Sequence, residues 1–191
     1  MNEFPTWLTA TLASAGCSDS FAITSDGLFA WGGNSEGELG TQDGENHLST
    51  PTLVPLLFRG TGPGSLTSLF AGCDHTIALF SKGGVLAWGD DFYGQLGDGS
   101  NTDSPKPVVV QLPSTAKVKA ISAGCSDGYA LTTTGAVYAW GLDADGELGD
   151  GGGGNSSTPV LVHLPGTIDP TGIGSGPGAE HAFVLAQTKP A

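Results

Sequence analysis

A chain of 191 residues is long enough to bury a core, and with 38% hydrophobic and only 13% charged residues its surface must draw on Gly, Ser, Thr, Asn and Asp. Nineteen acidic against six basic side chains give a formal net charge of −13, which argues against nucleic acid and against an anionic membrane surface, since both demand clustered positive charge. The bases Arg59, Lys82, Lys106, Lys117, Lys119 and Lys189 make no broad patch, whereas the acidity favours a partner with a basic surface.

No apolar run approaches the ~20 residues of a membrane-spanning helix. The start, Met1-Asn2-Glu3-Phe4-Pro5, has neither the basic nor the apolar region of a signal peptide, which favours a cytoplasmic home. No window shows an apolar stripe at helical spacing, so the composition reads as short strands joined by turns.

Taken in chain order, the elements recur. A first strand is expected at Leu8 to Ala13, Leu66 to Phe70 and Val118 to Ser122. Each runs into Ala-Gly-Cys, at Ala15-Gly16-Cys17, Ala71-Gly72-Cys73 and Ala123-Gly124-Cys125. A second strand follows at Ser20 to Thr24, Thr76 to Phe80 and Gly128 to Thr132, ending at turns such as Ser25-Asp26-Gly27 and Lys82-Gly83-Gly84. The third, Leu28 to Trp31, Val85 to Trp88 and Ala136 to Trp140, ends on Ala-Trp-Gly, and a Gly-(Glu/Gln)-Leu-Gly follows at fixed distance: Gly37 to Gly40, Gly94 to Gly97, Gly146 to Gly149. Loops rich in Gly, Asp and Asn lead to Thr50-Pro51, Ser104-Pro105 and Thr158-Pro159. A fourth strand is placed after these prolines, at Leu53 to Phe58, Pro107 to Leu112 and Val160 to Leu164. Gly178 to Leu185 repeats the Gly72 to Leu79 pattern and stops before any tryptophan.

Four short strands per period of 50–60 residues predict an all-β chain of propeller blades, each of four antiparallel strands. The chain is a single repeat domain over 1–191, with repeats at 8–64, 65–115 and 116–165 and a partial one at 166–187. That makes a partial propeller of about 3.5 blades, left with uncovered sheet faces and strand edges. The Gly-x-x-His that opens the second strand, the Trp-Gly and the Gly-Gln-Leu-Gly together resemble the regulator of chromosome condensation repeat family, over Leu8 to Leu185. The family's histidine is matched by His75 and His181 but replaced by Asp19 and Asp127, and the asparagine after Trp-Gly is Asn34, then Asp91 and Asp143. The resemblance implies a ring that usually has seven blades, and diverse partners: small GTPases whose nucleotide is exchanged, chromatin, and inhibited β-lactamases. No residue of an exchange-factor wedge can be placed here, and chromatin fits poorly with the acidity. Closure of the ring is expected either from homo-oligomerisation or from a longer chain, with the oligomer preferred.

The repeated residues read as structural. Trp31, Trp88 and Trp140 pack at strand ends, and Gly37, Gly94 and Gly146 take positive-φ turn positions. Cys17, Cys73 and Cys125 are expected to pack as small apolar residues. Equivalent points in different blades are not expected to come within the Cα distance of a disulfide, and no second ligand at short spacing suggests a metal. His75 and His181, exchanged for aspartate in the other repeats, suggest a hydrogen-bonding role. The loop carboxylates Asp90, Asp91, Asp98, Asp143, Asp145 and Asp150 can be read as a calcium site, but they lack an EF-hand pattern and read better as capping their own turns. Gly151 to Gly154 is a loop tip, and Gly172 to Gly178 leads into a strand; neither is a phosphate loop.

Two G-x-S-x-G strings, around Ser35 and Ser126, suggest a hydrolase with one of His47, His75, His163 or His181, but no helix follows either serine. The preferred function is a non-enzymatic scaffold that binds protein through its loops, with no cofactor and no metal. The contact candidates are Asp90, Asp91, Phe92 and Tyr93, and Gln42, Asp43, Glu45 and His47. A hydrolase with a site in the assembled central pocket is the alternative.

Overall fold

The order of strands follows from the turns that join them. In the computed structural model, which describes residues 9–56 and 63–189, consecutive strands pair antiparallel, so every period folds back on itself into one sheet. The first blade is β1 (Ala10–Ala15), β2 (Asp19–Thr24), β3 (Gly27–Gly33) and β4 (His47–Leu53). The second is β5 (Leu66–Ala71), β6 (His75–Phe80), β7 (Val85–Gly89) and β8 (Ser104–Val109). The third is β9 (Val118–Ala123), β10 (Asp127–Thr132), β11 (Val137–Gly141) and β12 (Ser156–Leu161). A two-stranded sheet of β13 (Ile168–Gly174) and β14 (Phe183–Thr188) follows. The fold is all-β, a partial propeller that is not closed into a ring.

The first strand of each blade packs against the first strand of the next, β1 on β5, β5 on β9 and β9 on β13, so these strands form the inner wall of the arc. The core lies between blades rather than inside any one. Phe21, Leu28 and Leu39 of the first blade meet Leu69, Ala78, Phe80, Leu86 and Trp88 of the second. Ile77, Leu79, Val85 and Leu96 of the second meet Val118, Ile121, Ala130 and Trp140 of the third. Strand alternation explains the division: in β6, Ile77 and Leu79 point to the third blade while Ala78 and Phe80 point back to the first. Hence all six residues of β6 and of β10 are buried.

The fourth strand differs from the sequence expectation. It begins before the prolines and contains them: Pro51 in β4, Pro105 and Pro107 in β8, Pro159 in β12. These are the outer edge strands, where half of the N–H groups face no neighbour, so a residue without an N–H breaks no ladder bond. Proline on that edge also blocks pairing with another chain. The expected strand starts at Leu8 and ends at Phe58 lie outside the described residues, as does Arg59. Among the described residues no helix is long and apolar enough to cross a membrane.

Candidate functional site

The loops that leave each third strand are built by their own polar groups. The residue two beyond the glycine of Trp-Gly is buried, and its carbonyl or carboxylate oxygen accepts from the N–H of the motif leucine: Asn34 from Leu39 at 2.9 Å, Asp91 from Leu96 at 2.9 Å, Asp143 from Leu148 at 3.0 Å. The motif Glu or Gln closes the same loop by accepting from a backbone N–H two residues earlier, Glu38 from Glu36, Gln95 from Tyr93 and Glu147 from Asp145. Only an oxygen is needed there, which is why Glu and Gln interchange. Gly37, Gly94 and Gly146 have φ of 83°, 87° and 90°, as the turn requires.

The next blade then locks onto the motif. Trp88 Nε1 donates to the Glu38 carbonyl at 2.8 Å, and Trp140 Nε1 to the Gln95 carbonyl at 2.8 Å. Both indoles are fully buried. A Cβ on Gly40 or Gly97 would stand 2.8 Å from that ring, so the final glycine of the motif is where the tryptophan enters. Trp31 is only partly buried.

On the loop face, the two candidate stretches come together. Asp90 and Phe92 line a hollow of about 500 Å³ with Glu36, Asp74, Asn101, Thr102 and Asp103. Gln42 and Glu45 line an adjoining hollow of about 260 Å³, and the two share Glu36 and Asp103. Phe92 is 72% exposed and meets Tyr93 edge to face at 4.9 Å. Glu36 and Asp90 are both held above the usual carboxylate range, chiefly by desolvation, with the charges of Asp103 and Asp74 adding to it. The groove is therefore a crowded anionic site.

The other candidates serve the loops themselves. Asp91 is fully buried and accepts from Leu96 N, Ser100 Oγ and Thr102 N, so it shapes the loop and faces no partner. Asp43 accepts from Glu45 N. His47 is exposed and opens β4, paired with Gly33. Glu36, Asp74 and Asp103 were not singled out from sequence. Asp74 carries a readable signal: Ser18 and Ser126 occupy its place in the first and third repeats, so a charge has been added where the repeat does not call for one.

One expectation at the inner wall is corrected. Cys73 and Cys125 form a disulfide with their Cα atoms 4.6 Å apart, and Cys17 Sγ lies 2.7 Å from Cys73 Sγ. The cysteines are not buried packing residues; Cys17 is exposed. Equivalent points meet here because the inner strands converge, which spacing along the chain does not reveal. The backbones are bonded at this point too, Cys73 N to Cys125 O at 3.1 Å and Cys125 N to Ala179 O at 2.7 Å. A Cβ on Gly16 would stand 2.6 Å from the Gly72 carbonyl, and one on Gly72 would stand 2.6 Å from that of Gly124. The glycine before each cysteine lets the blades approach.

The histidine position lies beside the same glycines. His75, Asp19 and Asp127 are all buried beside that glycine, and Asp127 accepts from Tyr129 Oη at 2.7 Å. Among the described residues no hydrogen bond reaches the His75 nitrogens or the Asp19 oxygens, although the backbone of Asp127 and Cys125 lies close enough to His75, and that of Gly16 close enough to Asp19, to offset part of their desolvation. Desolvation leads each shift: His75 falls to about 4, Asp19 rises to about 7 and Asp127 to about 6. His181 is exposed and meets Phe183 edge to face at 5.2 Å. Among the described residues no serine hydroxyl is hydrogen-bonded to a histidine ring; Ser35 is exposed at the edge of the smaller hollow.

The comparisons with known proteins agree with this architecture. The family model for the regulator of chromosome condensation (RCC1) repeat matches residues 25–79, 82–131 and 134–185. Each matched unit starts at or just after the end of one blade's second strand and ends in the second strand of the next, so it runs from one blade into its neighbour. The Ultraviolet-B receptor UVR8 of Arabidopsis thaliana is 33% identical over 155 residues, 81% of this chain and 34% of the receptor. The probable E3 ubiquitin-protein ligase HERC4 of Homo sapiens is 33% identical over 151 residues, 78% of this chain and 14% of the ligase. Among solved structures, human WBSCR16 superposes with a TM-score of 0.80 at 23% identity, over 96% of this chain and 46% of its own. Prp20p from Saccharomyces cerevisiae, described with its binding properties to Gsp1p and histones, superposes at 0.76 and 21% identity, over 93% and 43%. The chain thus spans less than half the length of these relatives. By its junctions, its blades and the three matched repeats, it belongs to the regulator of chromosome condensation (RCC1) repeat family.

Proposed function

We propose that this chain is a non-enzymatic binding scaffold whose acidic groove, between the loops of its first two blades, receives a basic segment of a protein partner. The observation that carries this reading is that two loops from different blades line adjoining hollows around Glu36 and Asp103. Carboxylates this close repel one another, and a lysine or arginine placed among them relieves that repulsion. Phe92 beside them offers an aromatic face to the cation and its methylenes. The histone binding described for Prp20p concerns a basic partner of a family member and supports the same direction.

Fluorescence anisotropy with a labelled Lys/Arg-rich peptide tests it. Saturable, salt-sensitive binding is expected, weakened about tenfold or more by Glu36→Gln combined with Asp74→Asn, and also weakened by Phe92→Ala. Affinity should fall as pH drops, beginning above the ordinary carboxylate range because Glu36 and Asp90 are raised. Binding indifferent to these substitutions would overturn the assignment.

A second observation favours self-association. Phe183 and Leu185 of β14 occupy the places of Ile77 and Leu79, which the third blade covers, yet they are 64% and 67% exposed. We infer that another copy of this chain covers them head to tail, as one blade covers the next. Light scattering on the 191-residue chain should then give more than one subunit; a folded monomer at all concentrations sinks this reading.

A further inference from the structure

Three successive blades deliver one sulfur each to a single point on the inner wall. Cys73, from the second blade, is bonded to Cys125 of the third and is 2.7 Å from the thiol of Cys17 in the first. Backbone bonds fix Cys73 to Cys125 and Cys125 to Ala179, and the close approach of Gly16 to the Gly72 carbonyl brings Cys17 to the same point. The Pro177 carbonyl lies 3.0 Å from Cys73 Sγ and 3.6 Å from Cys17 Sγ. A disulfide-bonded sulfur has no proton to donate, so this carbonyl can accept only from the Cys17 thiol, or from Cys73 when that bond is open.

We propose that Cys17, Cys73 and Cys125 form an exchanging disulfide triad in which Cys73 is the shared partner. The Cys17 thiol gives its proton to water and, as thiolate, attacks Cys73 Sγ. The Cys17–Cys73 bond forms as the Cys73–Cys125 bond breaks, and the electron pair leaves with Cys125 Sγ, which takes up a proton. One disulfide and one thiol are present before and after, so no external oxidant or reductant is consumed. The step moves the covalent tie from the junction of the second and third blades to that of the first and second. Cys17 is the member exposed to solvent, so it is also the point at which an external thiol or disulfide would enter.

The surroundings set the pH dependence. Desolvation, then the charges of Asp74 and Asp19, push the Cys17 thiol up, so the attacking thiolate is scarce at neutral pH. Exchange should accelerate by up to about tenfold per pH unit below that raised value.

The test is disulfide mapping of the intact chain. Arg59 lies between Cys17 and Cys73, and Lys82 between Cys73 and Cys125, so trypsin separates all three cysteines into different peptides. Protein equilibrated at pH 8.5, quenched in acid, alkylated and digested without reductant should yield both the Cys17–Cys73 and the Cys73–Cys125 linked peptides. Cys125→Ser should convert the pairing to Cys17–Cys73, and Cys17→Ser should leave only Cys73–Cys125. Wild-type protein that shows only Cys73–Cys125 at every pH, or Cys17 only as free thiol or in a cross-link between two chains, would overturn the proposal. Because the wild-type map alone decides between these outcomes, a variant that fails to fold does not remove the test.

Discussion

The second blade and the last half blade carry the same pattern in opposite circumstances. Ile77 and Leu79 of β6 are 0% and 5% exposed, whereas Phe183 and Leu185 of β14 are 64% and 67% exposed. Neither strand has unusual propensity, and both pair antiparallel with the strand before them. The difference lies in the neighbour: β6 is covered by the third blade, and β14 faces no further blade among the described residues. The repeat therefore encodes a junction as much as a sheet. Its most regular residues, Trp, Gly-(Glu/Gln)-Leu-Gly and Gly-Cys, all act across the gap between blades.

Removing the junction's largest group gives the largest effect. Trp88→Ala deletes a fully buried indole and its bond to the Glu38 carbonyl, and should cost about 3–5 kcal/mol of stability in urea unfolding. Thr76 Oγ1 still donates to the same carbonyl at 2.8 Å, so the loss comes mainly from packing. If Trp88→Ala costs under about 1 kcal/mol, the junction is not what holds the second blade.

A matched pair sharpens the comparison at intermediate size. Ile77→Ala should cost about 2–4 kcal/mol, while Phe183→Ala should cost less than about 0.5 kcal/mol in a monomer. In an assembly that covers β14, the two costs converge, and the Phe183→Ala effect becomes dependent on protein concentration. Urea midpoints measured at two concentrations distinguish these outcomes.

The blades were legible in the sequence because each strand lies between turn-forming glycines and aspartates that keep register over three copies. Strand β6 and its equivalents were placed to within one residue, since their ends are fixed by Gly-Cys on one side and a tight turn on the other. The outer strands start before the expected boundary because proline, a strand breaker elsewhere, is tolerated on an edge. The disulfide was missed for a geometric reason. Chain separation of 52 residues says nothing about how closely the inner strands converge. At the groove, Asp90, Phe92, Gln42 and Glu45 are readable as loop residues, but the carboxylates that complete it come from the first-blade loop at Glu36, from Gly-Cys-Asp at Asp74 and from Asp103 before β8. Only packing of two blades brings them together.

A pH-dependent effect is expected where two blades place different residues at one position. Asp19 in the first blade and His75 in the second each stand beside the junction glycine, buried, and their ionisations push stability in opposite directions. Asp19 holds its proton in the folded chain up to about pH 7, whereas an unfolded aspartate loses it near 4. Between those values the unfolded state binds fewer protons, so this residue's contribution falls as pH rises and is fully lost above about 7. His75, lowered to about 4, is neutral when folded but charges near 6.5 when unfolded, so its contribution rises with pH over that interval. Asp19→Asn should therefore leave stability at pH 4 nearly unchanged apart from a constant offset. At pH 8 it should gain up to about 4 kcal/mol relative to that offset. Measuring the difference between variant and wild type at each pH cancels the general repulsion of a chain with net charge −13. His75→Gln should change the slope in the opposite sense between pH 4 and 6.5. If the Asp19→Asn difference is flat from pH 4 to 8, Asp19 ionises in the folded junction as it does in water, and the junction is wetter than its burial implies.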